Sequence, residues 1–273
     1  MTTGQTMLVC CSLRVARLRS PLRAAAAVLA ACAVLVGLGA CAARTQQLTP
    51  PAVLSSPYDT SRGEVLWAVV PLRNETGTTT LDAFAISDKV VAAASQVRGV
   101  RALPLNRTIA TMRALSMTQL ADPADAKRLA TEMGVDGLIV GSITAYDPYN
   151  PPTLGLSLAL YARPGAMDTG GVTTIDTRTL QYQPTDYHYF PRSSFKESPA
   201  SVISVHLDGK NHQVLMDVQN YARGRHDPTS AYGWKRYLAS MDLFTEFAAW
   251  HAVGRLIDHE WIRLARSTSP AQK

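Results

Sequence analysis

The sequence predicts an α/β fold, with α+β as the alternative: a mixed sheet, flanking helices and a long C-terminal helix. Three observations predict it. Val65-Leu66-Trp67-Ala68-Val69-Val70-Pro71-Leu72 is apolar on both faces, as a strand covered from both sides must be. Leu154, Leu156, Leu158 and Leu160 alternate with Gly155, Ser157, Ala159 and Tyr161, the period of a strand with one covered face. Between these two stretches, and again towards the C-terminus, apolar residues recur at helical spacings of three and four.

Taken in chain order, each element has its own signal. Residues 42–62 are polar, carry Pro50, Pro51 and Pro57, and lack a hydrophobic period, so they read as a flexible tether. After the first strand, Asn74-Glu75-Thr76-Gly77 is turn chemistry. Thr79, three before Asp82, offers a capping box for a helix whose inner face is Ile86, Val90, Ala93/Ala94 and Val97. Gly99 stands where a C′ glycine ends a helix, and a short strand, Val100 to Leu103, follows. Asn106 or Thr108 caps a second helix carrying Ile109 and Met112.

Asp122-Pro123 opens a third helix, with Asp as N-cap, Pro at the first helical position and Asp125 in the first turn. Its inner face is Ala126, Leu129, Ala130 and Met133, and Gly134 stops it. A second buried strand spans Val135 to Tyr146, and residues 147–152 form a loop before the leucine strand. Residues 163–200 are rich in Gly, Pro, Ser and Thr, with one strand-like run from Thr173 to Tyr182. Val202 to Leu207 reads as a strand, and 211–223 as a helix through Val214, Leu215, Val218 and Tyr221. Trp234 to Arg266 reads as one helix with a broad apolar face: Leu238, Met241, Phe244, Phe247/Ala248, Val253, Leu256/Ile257, Trp261 and Leu264. The expected organisation is a leader at 1–40, a tether at 41–62, a core at 63–162, an extension at 163–233 and a core-packing helix at 234–267.

Charge excludes one function class. The chain has 27 Lys+Arg, 21 Asp+Glu and a formal net charge of +6. Four of the positive charges, Arg14, Arg17, Arg19 and Arg23, precede any acidic residue; without them 23 basic face 21 acidic residues. The basic balance thus belongs to the leader, and nucleic acid is not an expected partner. The four cysteines are Cys10, Cys11, Cys32 and Cys41, so residues beyond 41 offer neither a disulfide nor a cysteine-based metal site.

Those arginines precede an uncharged apolar run, Ala24 to Ala40, of 17 residues. It closes on Leu38-Gly39-Ala40-Cys41, which resembles the lipobox of bacterial lipoprotein signal peptides. The resemblance implies cleavage between Ala40 and Cys41 and a diacylglycerol on the Cys41 thiol. The alternative is an uncleaved signal anchor. Family lipoproteins carry two or three acyl chains, palmitate among them, and several chains anchor stably where one does not. Ala42 rather than Asp resembles the pattern sorted to the outer membrane, with the domain in the periplasm.

A second resemblance rests on three pieces in order. They are Trp67-Ala-Val-Val-Pro-Leu-Arg-Asn-Glu-Thr-Gly77; Ile86-Ser-Asp-Lys-Val90 leading to Val100-Arg-Ala-Leu-Pro104; and Ala126-Lys-Arg-Leu-Ala-Thr-Glu-Met-Gly-Val-Asp-Gly-Leu-Ile-Val-Gly-Ser-Ile143. This resembles the α/β domain shared by the curli-secretion lipoprotein CsgG, the polysaccharide-secretion lipoprotein PelC, flagellar-associated lipoproteins and TolB amino-terminal-like domains, over residues 64–162. Leu72 departs from the Phe usual there, and 163–233 has no counterpart. The 172–182 run is polar and charged, without the lipid-facing band of a membrane hairpin, which favours a relative that forms no pore. Gly141, inside the second strand, lets another backbone come close.

No catalytic, metal-binding or cofactor-binding residue is assigned. His188, His206, His212, His226, His251 and His259 include no pair at the i, i+4 spacing of a zinc helix. His259-Glu260 reads as a solvated helix face, and Asp208 as a turn acid closing the strand Val205-His206-Leu207. Ser193, Ser194 and Ser240 lack nucleophile-elbow surroundings. Tyr182, Tyr187, Tyr189 and Phe190 near Arg192 and Lys196 read as loop packing, with glycan or partner contact as the alternative. The expected function is that of a membrane-anchored, non-enzymatic component in envelope assembly or in secretion of a surface polymer or appendage. Its partners are the membrane, through the lipid, and copies of itself or another envelope protein. Two alternatives stand beside it: an accessory activator of cell-wall synthesis, and a glycan-binding or hydrolytic envelope protein using His206 and Asp208.

Overall fold

A computed structural model describes residues 50–61, 63–163, 167, 198–227 and 230–268. The chain divides into two compact units, Met1–Leu48 and Thr49–Lys273, and every described residue belongs to the second. The elements are β1 (Val65–Val69), β2 (Arg73–Asn74), α1 (Ala83–Ser95), β3 (Val100–Ala102), α2 (Leu105–Ala114), α3 (Pro123–Met133), β4 (Gly137–Asp147), β5 (Thr153–Ala162), β6 (Ser201–Asp208), α4 (His212–Ala222), a 3₁₀ turn (Gly233–Lys235), α5 (Arg236–Ala239) and α6 (Met241–Thr268).

One mixed sheet runs β3-β1-β4-β5-β6, with β2 beside β4. β1 pairs in parallel with β3 and β4, whereas β4–β5 and β5–β6 are antiparallel. The connections dictate this. A parallel neighbour needs a crossover, which α1 and then α2–α3 supply, while a short loop suffices for the antiparallel turn after Asp147. The α/β class, the flanking helices and the long C-terminal helix are as the sequence predicts.

Two cores of unequal size cover the sheet. On one side Ile86 and Val90 of α1, Val218 of α4, and Phe244, Phe247 and Leu256 of α6 meet Trp67, Val69, Ile139, Ile143 and the four leucines of β5. All four leucines are fully buried, and each such burial stabilises the fold by about 1.5–3 kcal/mol relative to exposure. On the other side Met112 of α2 and Ala126, Leu129 and Ala130 of α3 cover Ala68, Val70 and Leu138. These helices cover only the parallel half. On the same side of the antiparallel half, Ser157, Ala159 and Tyr161 are half-buried, and Val202, Ser204 and His206 are exposed.

Local devices explain the joints. Asp122 caps α3 by accepting the Asp125 N–H, and Gly134 ends it at φ +64°. Asp136 then ties three strand ends: its N–H donates to Leu66 O, its carboxylate accepts the Leu66 N–H at 2.9 Å and pairs with Arg163. A Cβ on Gly141 would sit 2.2 Å from the Ser157 carbonyl oxygen, so the close approach read from the sequence is real.

Several expectations are corrected. The cap of α1 is Asp82, which accepts from the Phe84 and Ala85 N–H groups, and Thr79 takes no part. Gly99 lies beyond the C-cap Gln96; its need for glycine comes from φ +87° and from Ser56 Oγ, which a Cβ would approach to 2.6 Å. α2 begins at Leu105 after Pro104, so Asn106 and Thr108 lie inside it rather than capping it. The C-terminal helix is broken at Ser240, whose extended backbone (φ −124°, ψ 121°) separates α5 from α6. Trp261, placed on the inner face of that helix, is 49% exposed. Within 163–233 the expected strand and helix are present, β6 joining the sheet and α4 the main core. The Thr173–Tyr182 run lies outside the described residues.

Candidate functional site

The sequence places function at the attachment of the domain, and there the structure departs most from expectation. Cys41 and Ala40 lie outside the described residues. The last part of the expected tether, however, is a strap packed on the domain. Ser56 N–H donates to Arg98 O at 3.0 Å, Arg98 N–H donates to Leu54 O at 2.9 Å, and Ser55 and Arg98 form a parallel bridge. Leu54 lies over Gly254, where an added Cβ would sit 3.4 Å from its Cδ2. The Trp261 indole N–H donates to Ser55 O at 3.2 Å, which accounts for the outward position of that ring.

Tyr58 is the strap's deepest residue. Its ring meets Trp67 edge-on with centroids 6.1 Å apart, and its hydroxyl donates to Glu260 Oε2 at 3.0 Å. Glu260 is fully buried, against the solvated face expected for it. A carboxylate without water must be saturated by donors, and this one is. Arg263 donates to it from Nε at 2.9 Å and from Nη2 at 2.7 Å, and the Ser201 hydroxyl donates to Oε1. Arg263 Nη2 also reaches Met167 O at 2.9 Å. Burial first, and the adjoining Glu260 charge second, hold the Tyr58 phenol well above its usual range, so it remains a donor at neutral pH. One carboxylate thereby joins the strap, the start of β6, the Met167 backbone and α6.

A second clasp lies nearer the N-terminal end of the strap. The Arg225 guanidinium sits 4.4 Å from the Tyr221 ring centroid and 5.5 Å from that of Trp250, and it donates to Ala52 O and Gln96 Oε1 at 3.3 Å each. Stacking of this kind holds a half-buried cation in one pose. Across the α1–α6 seam, Lys89 lies 2.9 Å from Asp242 and 2.8 Å from Glu246. Burial works to lower its ammonium pKa, yet the hydrogen bonds it donates to both carboxylates, with their charge, raise it overall.

A groove of about 470 Å³ opens on the less covered side of the sheet, lined by Pro71, Phe84, Leu120, Val140, Ser142 and Ser157 among others. Phe84, at the start of α1, is 56% exposed above it. Its wall combines apolar surface with the hydroxyl-bearing Thr118, Ser142 and Ser157 and the charged residues Arg73 and Glu75.

The remaining candidates fall apart in space or lie elsewhere. Asp208 accepts the Lys210 N–H at 2.9 Å, as a turn acid does, and His206 is exposed on the uncovered side of β6. Ser240 is the helix break. His251 stacks at 5.8 Å on Phe247, and burial lowers its pKa. His188, Ser193, Ser194 and the 182–196 aromatic and basic cluster lie outside the described residues. Among the described residues no three His, Cys, Asp or Glu side chains converge as metal ligands, and no helix is long and apolar enough to cross a membrane.

No protein-family model and no curated protein matches the chain. Solved structures do resemble it in part. Lipoprotein GNA1162 from Neisseria meningitidis is 16% identical over 53% of this chain and 80% of that one, with a TM-score of 0.35. The C-terminal domain of LpoB from Salmonella enterica is 10% identical over 53% of this chain and 82% of its own, also at 0.35. The PelC dodecamer from Paraburkholderia phytofirmans is 18% identical over 42% and 66%, at 0.25. Likenesses this partial carry no inference about what the chain does.

Proposed function

We propose that this chain is a lipid-anchored, non-enzymatic scaffold of the bacterial envelope that helps assemble or export a surface polymer or appendage. The observation that carries the proposal is Leu38-Gly39-Ala40-Cys41 at the end of an uncharged run that follows four arginines. Acyl chains on Cys41 hold the domain at the membrane, the outer membrane by the Ala42 pattern. The packed strap supports this in a mechanical sense. Between Cys41 and the first clasp at Ala52 lie only ten residues. An anchor leading into a strap clasped at Ala52, Ser55 and Tyr58 limits both the distance and the attitude of the domain. The domain then acts by position and surface contact.

Metabolic labelling with radioactive palmitate tests the anchor. The wild-type chain takes up label and the Cys41→Ala variant does not. Equal labelling of both, or none of the wild type, contradicts the proposal.

A further inference from the structure

Three exposed, large apolar side chains lie on two adjoining pieces of chain, the strap and the last turns of α6. Val53 is 58% exposed, Trp261 49% and Ile262 48%. Exposure alternates along the strap: Val53 and Ser55 are exposed, while Leu54 lies over Gly254 and Ser56 is buried. The bond from the Trp261 indole N–H to Ser55 O places the ring beside the strap, two residues from Val53. An indole has one polar atom, and here the chain itself already binds it. What the ring shows outward is hydrocarbon, and Ile262 extends it. Two exposed arginines flank this face: Arg98, whose backbone bridges to the strap, and Arg266, one turn beyond Ile262. Asp258, one turn before Ile262, is exposed too, whereas Glu260 is buried and paired with Arg263.

We propose that this face lies against the bilayer that holds the anchor, an anionic phospholipid surface. Val53, Trp261 and Ile262 enter the headgroup border, and Arg98 and Arg266 meet lipid phosphates. The inference rests on the reading of Cys41 as the acylated residue and deepens it by naming the surface that the domain turns to lipid. The choice of lipid comes from the length of the tether and from where it ends. Ten residues separate Cys41 from Ala52, a span of at most about 36 Å when fully extended. Val53 is the next residue after that clasp, so the face adjoins the point where the tether leaves the domain. Tethering makes the second contact intramolecular, and a patch too small to hold a free domain on lipid then suffices. Tryptophan settles at the membrane interface, aliphatic side chains bury into its apolar border, and arginine is drawn to anionic lipid. The contact fixes which way the domain faces.

The test uses the chain as extracted from membranes, reconstituted on vesicles of POPC and POPG whose acyl chains are brominated next to the headgroup. Bromine quenches a tryptophan only on contact. Wild type floats with the vesicles and its fluorescence is quenched. Trp261→Phe floats equally and loses most of the quenching, since Trp67 is fully buried and Trp234 and Trp250 are half-buried. Ile262→Asp weakens the quenching while circular dichroism shows it folded as wild type. Vesicles of POPC alone quench wild type less, and equal quenching on both overturns the choice of an anionic surface. A wild type that floats unquenched, or a Trp261→Phe variant quenched as strongly as wild type, overturns the proposal and leaves the anchor standing. An unquenched Trp261 that iodide also fails to reach overturns it too, and assigns the face to a protein. A wild type that does not float overturns the anchor reading and this inference together.

Discussion

The parallel half of the sheet, β3-β1-β4, and the antiparallel half, β4-β5-β6, are built to different ends. In the first, helices lie on both faces: Trp67 and Val69 enter the larger core, while Ala68 and Val70 enter the smaller one. In the second, the leucines of β5 are sealed under α4 and α6, whereas Ser157, Ala159, Val202 and His206 look outward. A strand buried on both faces can only hold the fold together. A strand buried on one face has a second set of side chains to spend on contact, and the groove opens where the two halves meet, between the end of β1, β4 and β5.

The largest expected effect bears on what joins the halves. Glu260→Ala strands Arg263 and the Tyr58 hydroxyl and should cost about 3–5 kcal/mol, read from urea unfolding. Within the antiparallel half, the two faces of one strand should part company. Leu156→Ala should cost about 2–5 kcal/mol, while its neighbour Ser157→Ala should stay within about 0.5 kcal/mol. Equal losses at both positions would erase the distinction between covered and uncovered faces. Tyr58→Phe keeps the ring against Trp67 and removes a bond to a carboxylate, for about 1.5–3 kcal/mol. Faster proteolysis within 50–61 should accompany it.

The smallest effect is a pH dependence. Burial holds the His251 imidazole below its ordinary pKa, so the unfolded chain binds the proton more readily. That contribution to stability is present above about pH 6.5 and is lost as pH falls through the folded value. His251→Gln should flatten the decline in urea midpoint between pH 7 and pH 5, with the wild-type and variant curves converging at the acid end.

The halves also differ in how far they can be read from residues alone. The run Val65–Leu72, the leucine alternation and the Asp122-Pro123 start carry their structure locally, because each depends on a period or a cap. Glu260 carries no such signal. Its partners Tyr58 and Ser201 lie 202 and 59 residues away, so next to His259 it looks like solvated surface. The strap is hidden for the same reason: Tyr58 is an aromatic in a polar, proline-bearing stretch, and only Trp67 and Glu260 explain it. The break at Ser240 has neither glycine nor proline to announce it, and the apolar spacing runs straight through. Of the site, the clasps at Tyr58 and Arg225 arise only from tertiary contact, whereas the proposed anchor at Cys41 rests on the sequence alone.

An anchor acting through a packed strap is the core of the account, and the covalent state of the N-terminus tests it most directly. Intact-mass spectrometry of the chain extracted from membranes should show a product that begins at Cys41 and carries a diacylglyceryl group. A product that retains residues 1–40, or one that begins at Cys41 without lipid, would contradict it.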